Sequence, residues 1–159
     1  YDINDKPILI VDDLNHNHYL YFKDNIAPQL EYQLCVITNI PQLQPCENVE
    51  ICYIDLTIDL MDYLGKTRFI VLLNYNHKLL LSCLYNNIVI LYYDIFNQSY
   101  NLDDINQYPN YSVLTNTDFI NKYNEIYNND EFLKLSNNID GFLIQNKKNI
   151  SKFLTKITK

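Results

Sequence analysis

Three aspartates are the residues best placed to do chemistry. Asp12 and Asp13 close the run Lys6-Pro-Ile-Leu-Ile-Val-Asp-Asp13, and Asp55 closes Val49-Glu-Ile-Cys-Tyr-Ile-Asp55. Both runs are apolar and rich in β-branched residues, the pattern of a strand buried on both faces of a parallel sheet. Open α/β sheets bind ligands just outside the carboxyl ends of such strands, which is where these carboxylates would stand. If the strands are neighbours, the three side chains repel one another until a divalent cation neutralises them. A set of oxygen ligands suits Mg²⁺, held weakly at an acidic strand edge. The competing reading is that the aspartates cap helices and face water.

A second group is aromatic. Tyr92, Tyr93, Tyr100, Tyr108 and Tyr111 surround a stretch rich in Asn and Pro and poor in charge. Tyrosine adds rigid, amphipathic area to an interface at low entropic cost, so this group is a candidate partner-binding patch. Other sets are weaker. His16 and His18 lie near the first aspartates and are candidates for a Zn²⁺ or Fe²⁺ site, although two imidazoles on a polar loop are ordinarily just exposed. Cys83 with His77 would make a nucleophile and base only if the fold brought them together. The chain has two glycines, too few for a phosphate-binding loop or a dinucleotide fingerprint.

The elements that must position these residues follow from periodicity. Helix is expected over Tyr19 to Glu31, with Pro28 marking a bend or an early end, after a polar loop from Leu14 to His18. A second strand covers Gln33 to Thr38. A short helix over Leu60 to Gly65 leads to a strand from Arg68 to Leu73. Lys78 to Tyr85 is helical, and Asn87 to Tyr93 is a strand that ends at Asp94. A helical turn is expected around Leu102 to Ile105, and an edge strand over Tyr111 to Thr115. Thr117 is positioned to cap a helix from Asp118, in which Phe119, Ile120, Tyr123, Ile126 and Tyr127 share one face. Phe132, Leu133 and Leu135 suggest a further short helix, Gly141 to Gln145 a small strand, and Asn149 the cap of a last helix burying Ile150, Phe153, Leu154 and Ile157. Strands alternating with helices predict a single three-layer Rossmann-like or flavodoxin-like α/β domain over residues 1–159, its sheet of five to seven strands mostly parallel.

Two stretches resemble known families. Residues 6 to 107 resemble the response-regulator receiver domain. Leu9-Ile-Val-Asp-Asp13 matches its first strand and acidic pair, Asp55 stands where the phosphate-accepting aspartate stands, and Met61-Asp62 follows at the family's spacing. The chain departs from the pattern at Tyr63, which replaces a glycine, at Asn74, which replaces Ser or Thr, and at Asp94-Ile95, which replaces Lys-Pro. An acid in the lysine's place repels phosphate, so the resemblance implies a degenerate receiver without phosphoryl transfer. Asn138-Ile-Asp-Gly-Phe-Leu-Ile144 and the helix after it are similar to the end of a GT-B glycosyltransferase C-terminal half, a likeness that extends over about residues 78 to 159. It implies a sugar-nucleotide site, yet the glycine-rich loop and paired glutamates of that family are missing.

Composition narrows the field. The net charge of −7 argues against nucleic acid, whose phosphates require clustered Lys and Arg. The one basic cluster, Lys147-Lys148 through Lys152, Lys156 and Lys159, reads as the solvated face of a final helix. No apolar run approaches the ~20 residues of a membrane span. The Asn, Ile, Tyr and Lys bias is that of an AT-rich genome, whether viral, parasitic, low-GC bacterial or organellar. Cys35, Cys46, Cys52 and Cys83 form no C-x-x-C pair, and Cys35 and Cys52 lie in apolar runs, which favours a reducing, cytoplasmic setting. The sequons at Asn97, Asn110 and Asn149 are of a kind that an Asn-rich chain makes by chance. The leading expectation is a non-enzymatic interaction or regulatory module with a protein partner or a second copy. A reduced sugar-nucleotide transferase and a structural subunit of a larger assembly are the alternatives.

Overall fold

A computed structural model describes residues 6–56, 64, 67, 69–96, 108–127 and 139–144. Six strands form one parallel sheet: β1 Ile8–Val11, β2 Leu34–Thr38, β3 Val49–Tyr53, β4 Phe69–Leu72, β5 Val89–Tyr93 and β6 Tyr111–Val113. Their order across the sheet is β3-β2-β1-β4-β5-β6. The chain therefore winds outward from β1 in one direction, returns, and winds outward in the other. This is the order of the doubly wound Rossmann sheet, with its switch point between β1 and β4.

Burial explains why these short segments become strands. Every residue of β1, β2, β4 and β5 is buried, so their continuous apolar runs are covered on both faces. The outer strands β3 and β6 are half-covered. The long connections supply the layers. Helix α1 (His16–Asn25) buries Tyr19 and Phe22, and a single 3₁₀ turn, Ala27–Gln29, ends it at Pro28. Helix α3 (Asn116–Tyr127) lies beside α1, with Phe119 meeting Phe22 edge-on at 5.9 Å and Tyr123 meeting Phe69 at 5.5 Å. Phe69 and Val71 thus face α1 and α3, while Ile70 and Leu72 face the other way. Helix α2 (His77–Tyr85) crosses from β4 to β5 after the winding has reversed, which places it on that opposite face. There it buries Leu80, Leu81, Cys83 and Leu84.

Several expectations shift in detail. The polar loop before α1 is shorter than expected, because His16 and His18 form the first turn of the helix and His18 is buried. The cap of α3 is Thr115, whose Oγ1 accepts from the Asp118 amide at 3.1 Å, rather than Thr117. Residues 139–144 are helical, not a strand: Asp140 on this helix accepts from the Asn87 side chain at 2.8 Å and Phe142 packs on Tyr108. With two glycines in the chain, left-handed turns fall to polar residues. Asn48 and Asn87 adopt φ of 62° and 54° at the entries to β3 and β5. The expected helices at Leu60 to Gly65 (Leu64 excepted, which is helical and buried), Leu102 to Ile105, Phe132 to Leu135 and Ile150 to Ile157 lie outside the described residues, as does the basic cluster from Lys147.

Candidate functional site at the carboxyl edge of the sheet

At the switch point, the loop after β1 is tied into a bracket. The Asn15 side chain accepts from the Asp12 amide at 2.8 Å and donates to the Ile10 carbonyl at 2.8 Å. In return Asp12 Oδ1 accepts from the amides of Leu14 and Asn15, at 2.9 and 3.1 Å. Asp12 therefore spends its carboxylate on the turn that begins α1, while Asp13 is exposed. Across the switch point, Asn76 caps α2 by accepting from the Leu79 amide at 3.0 Å. Between the two loops is a cleft of about 30 Å³, lined in part by Ile10, Asp12, Asn15, Leu72, Asn74 and Leu79.

Asp55 is not in this group. It follows β3, and β2 separates β3 from β1. Two strand spacings, ~9.5 Å, separate the ends of β1 and β3, so Asp55 does not stand on a strand next to Asp12 and Asp13. Among the described residues no three His, Cys, Asp or Glu side chains are grouped to hold a metal. In the 2-1-3-4-5 order of flavodoxin-like sheets, the strand bearing Asp55 would adjoin β1; here its neighbour is β2. Asn74 follows β4 beside the cleft, and Asp94 follows β5.

The tyrosine group divides. Tyr92 and Tyr93 are core residues, 1% and 6% exposed, because they end the doubly covered strand β5. Tyr93 donates from its hydroxyl to the Asn116 side chain at 2.7 Å, which in turn donates to the Tyr21 hydroxyl at 3.1 Å. Tyr108 and Tyr111 are half-buried. Tyr108 stands edge-on to Phe142, and the Lys122 ammonium lies 4.8 Å from the centre of the Tyr111 ring. Tyr100 lies outside the described residues. The group is thus a packing feature more than a free patch. Cys83 is also part of the core, and burial pushes its thiol well above the usual range, so it is no nucleophile.

What the sequence reading did not single out is the set of exposed apolar side chains on the same edge. Leu14 follows β1, Phe96 follows β5 and Leu114 follows β6, exposed by 85%, 38% and 75%. Asp13 and Asp55 are exposed on the same edge, and Asp12 and Asp94 are half-buried there. Each apolar residue sits one to three positions beyond a strand end, which is a readable signal once the strands are placed.

Beneath Phe96 is a polar pair. His18 is 8% exposed, and its Nδ1 has no hydrogen-bond partner among the described residues; nor has Asp94 Oδ2. The His18 ring lies 4.6 Å from that of Phe96, and Tyr21 meets Phe96 edge-on at 5.9 Å. Burial lowers the His18 pKa below its ordinary value of 6.5, and the Asp94 charge opposes that shift only in part. The imidazole is therefore held toward its neutral form.

The fold is that of a doubly wound α/β domain, and among the described residues the carboxyl edge of its sheet carries carboxylates and exposed apolar groups. A scan of protein-family models and a search of curated proteins found no match to the chain. Among the described residues no helix is long and apolar enough to cross a membrane.

Proposed function

We propose that the chain is a non-enzymatic protein-interaction module that docks a protein partner on the carboxyl edge of its sheet. The observation that carries this reading is the exposure of Leu14, Phe96 and Leu114 on loops of one edge. Large apolar side chains gathered on the face where such folds bind their ligands mark an interaction site. The acidic rim favours a partner with a basic surface and disfavours nucleic acid.

The test is site-specific photocrosslinking in the native cell. A crosslinker at position 14 or 114 is expected to capture the same protein, while one at Asn87, at the opposite edge, captures none of it. The captured protein, purified, then binds the wild-type domain and binds a Leu14→Ser/Leu114→Ser variant at least tenfold more weakly, by roughly 1.4 kcal/mol. Equal capture from both edges, or no capture together with a strict monomer by light scattering, would overturn the reading.

A further inference from the structure

We propose that residues 145–159 of the same chain fold back on this edge and occupy it until a partner displaces them. This names the regulation of the docking site and rests on the docking reading. The edge sets exposed apolar side chains beside acidic ones. Leu14 has the exposed Asp13 as its neighbour, Phe96 follows the half-buried Asp94, and Leu114 precedes the first turn of α3, where Asp118 is exposed. Lys78, in the first turn of α2, is also exposed there. A surface of this kind takes a ligand that is apolar at its centre and basic around it.

The chain carries such a sequence. Residues 145–159 lie outside the described residues and hold five lysines and no acidic residue, in a protein whose net charge is −7. Ile150, Phe153, Leu154 and Ile157 recur at i, i+3, i+4 and i+7, the spacing of one apolar helical face, with Lys152 and Lys156 flanking it. From Ile150 to Ile157 such a face is ~10.5 Å long. Leu14 and Leu114 follow β1 and β6, which are three strand spacings or ~14 Å apart. The lengths match. The route agrees as well. Asp140 is held by Asn87, just beyond the last turn of α2, whereas Phe142 packs on Tyr108, whose ring meets that of His77 in the first turn of α2 at 6.1 Å. Residues 139–144 therefore run toward the carboxyl edge, and Ile144 ends them 79% exposed. Five more residues, ~17 Å when extended, precede Ile150. A tether this short gives the segment a local concentration in the millimolar range, so a contact too weak to hold a free peptide is still filled.

The experiment uses the purified full chain, without any partner, and a photocrosslinker at position 14 or at position 114. Light and isotopically heavy chains are mixed in equal amounts, and the joined peptides are mapped by mass spectrometry. Both positions are expected to join residues 147–157 of their own chain, with few light–heavy pairs. A crosslinker at Tyr85, exposed at the far end of α2, is expected not to reach them. The yield is expected to fall several-fold in Lys152→Glu/Lys156→Glu, a change that keeps the apolar face, and in the wild-type chain at high salt. Absence of these joins, light–heavy pairs at the level of random pairing, or a yield unchanged by charge reversal each overturns the contact within the chain. No partner is present in this sample, so the docking reading is judged separately, by capture in the cell and by the Leu14→Ser/Leu114→Ser variant.

Discussion

His18 shows how one side chain's setting changes its chemistry. In the sequence it belongs to Asn15-His16-Asn17-His18, a polar stretch that resembles a loop and a weak metal motif. In the structure α1 begins at His16, so position 18 turns inward while its neighbour Asn17 stays exposed. Periodicity alone does not reveal this, because the apolar run that defines the helix starts only at Tyr19. The consequence is a pH dependence. The folded state holds His18 below 6.5, whereas the unfolded chain titrates near that value. Between the two pKa values the unfolded state binds more protons, so lowering the pH favours unfolding. Stability is expected to be flat above about pH 7 and to fall as the pH drops below about 6.5, by at most ~1.4 kcal/mol per unit for one proton. It levels off once folded His18 takes up its proton. Urea midpoints from pH 7.5 to 5.5 check this, and His18→Gln should remove most of the slope. A slope unchanged in that variant would mean that other groups carry it. Asn15 makes the complementary point: its bracket with Asp12 and Ile10 was invisible in sequence, where Asn15 belongs to the polar loop from Leu14 to His18.

Among the elements, the helices with a clear 3.6-residue face were the legible ones. Phe119, Tyr123 and Ile126 are the buried side of α3, as their spacing requires. Its start was misplaced by two residues because Thr115 and Thr117 are both good caps, and only the fold selects between them. Thr115 wins because its position lies between the end of β6 and the first turn, where its Oγ1 reaches the Asp118 amide. Replacing Thr115 with Ala removes that bond and is expected to cost about 1 kcal/mol, against less than 0.5 kcal/mol for Thr117→Ala at an exposed site inside the first turn. Chemical denaturation of the two variants side by side distinguishes them, and equal losses would return the cap to Thr117. The run from Gly141 was read as a strand because a short apolar stretch has no decisive period. It is helical, and it packs through Phe142 against Tyr108, a contact between distant parts of the chain that no local pattern encodes.

For the molecule as a whole, the parallel sheet was legible and the order of its strands was not. Alternating strands and helices imply right-handed crossovers, but each unit is silent about the side of the sheet on which it lands. That single unknown sets how far Asp55 stands from the Asp12-Asp13 pair. Had β3 adjoined β1, Asp55 would stand one strand spacing, ~4.8 Å, from the Asp12-Asp13 pair, close enough to share a cation. With β2 between them the separation of the strand ends doubles. Asp12 is further withdrawn by the two backbone amides it accepts. The expected outcome is therefore specific to position. Millimolar Mg²⁺ should shift the melting temperature by no more than about 1 °C, the scale of a few tenths of a kcal/mol in a domain of this size. Asp55→Ala should leave that response unchanged. Stabilisation by several degrees that disappears with Asp55→Ala would instead put Asp55 in a shared cation site with the Asp12-Asp13 pair. A null response would instead leave Asp13 and Asp55 as solvated charges on the edge that carries Leu14, Phe96 and Leu114, and under the docking proposal these would speed the encounter with a basic partner and do so less at high salt.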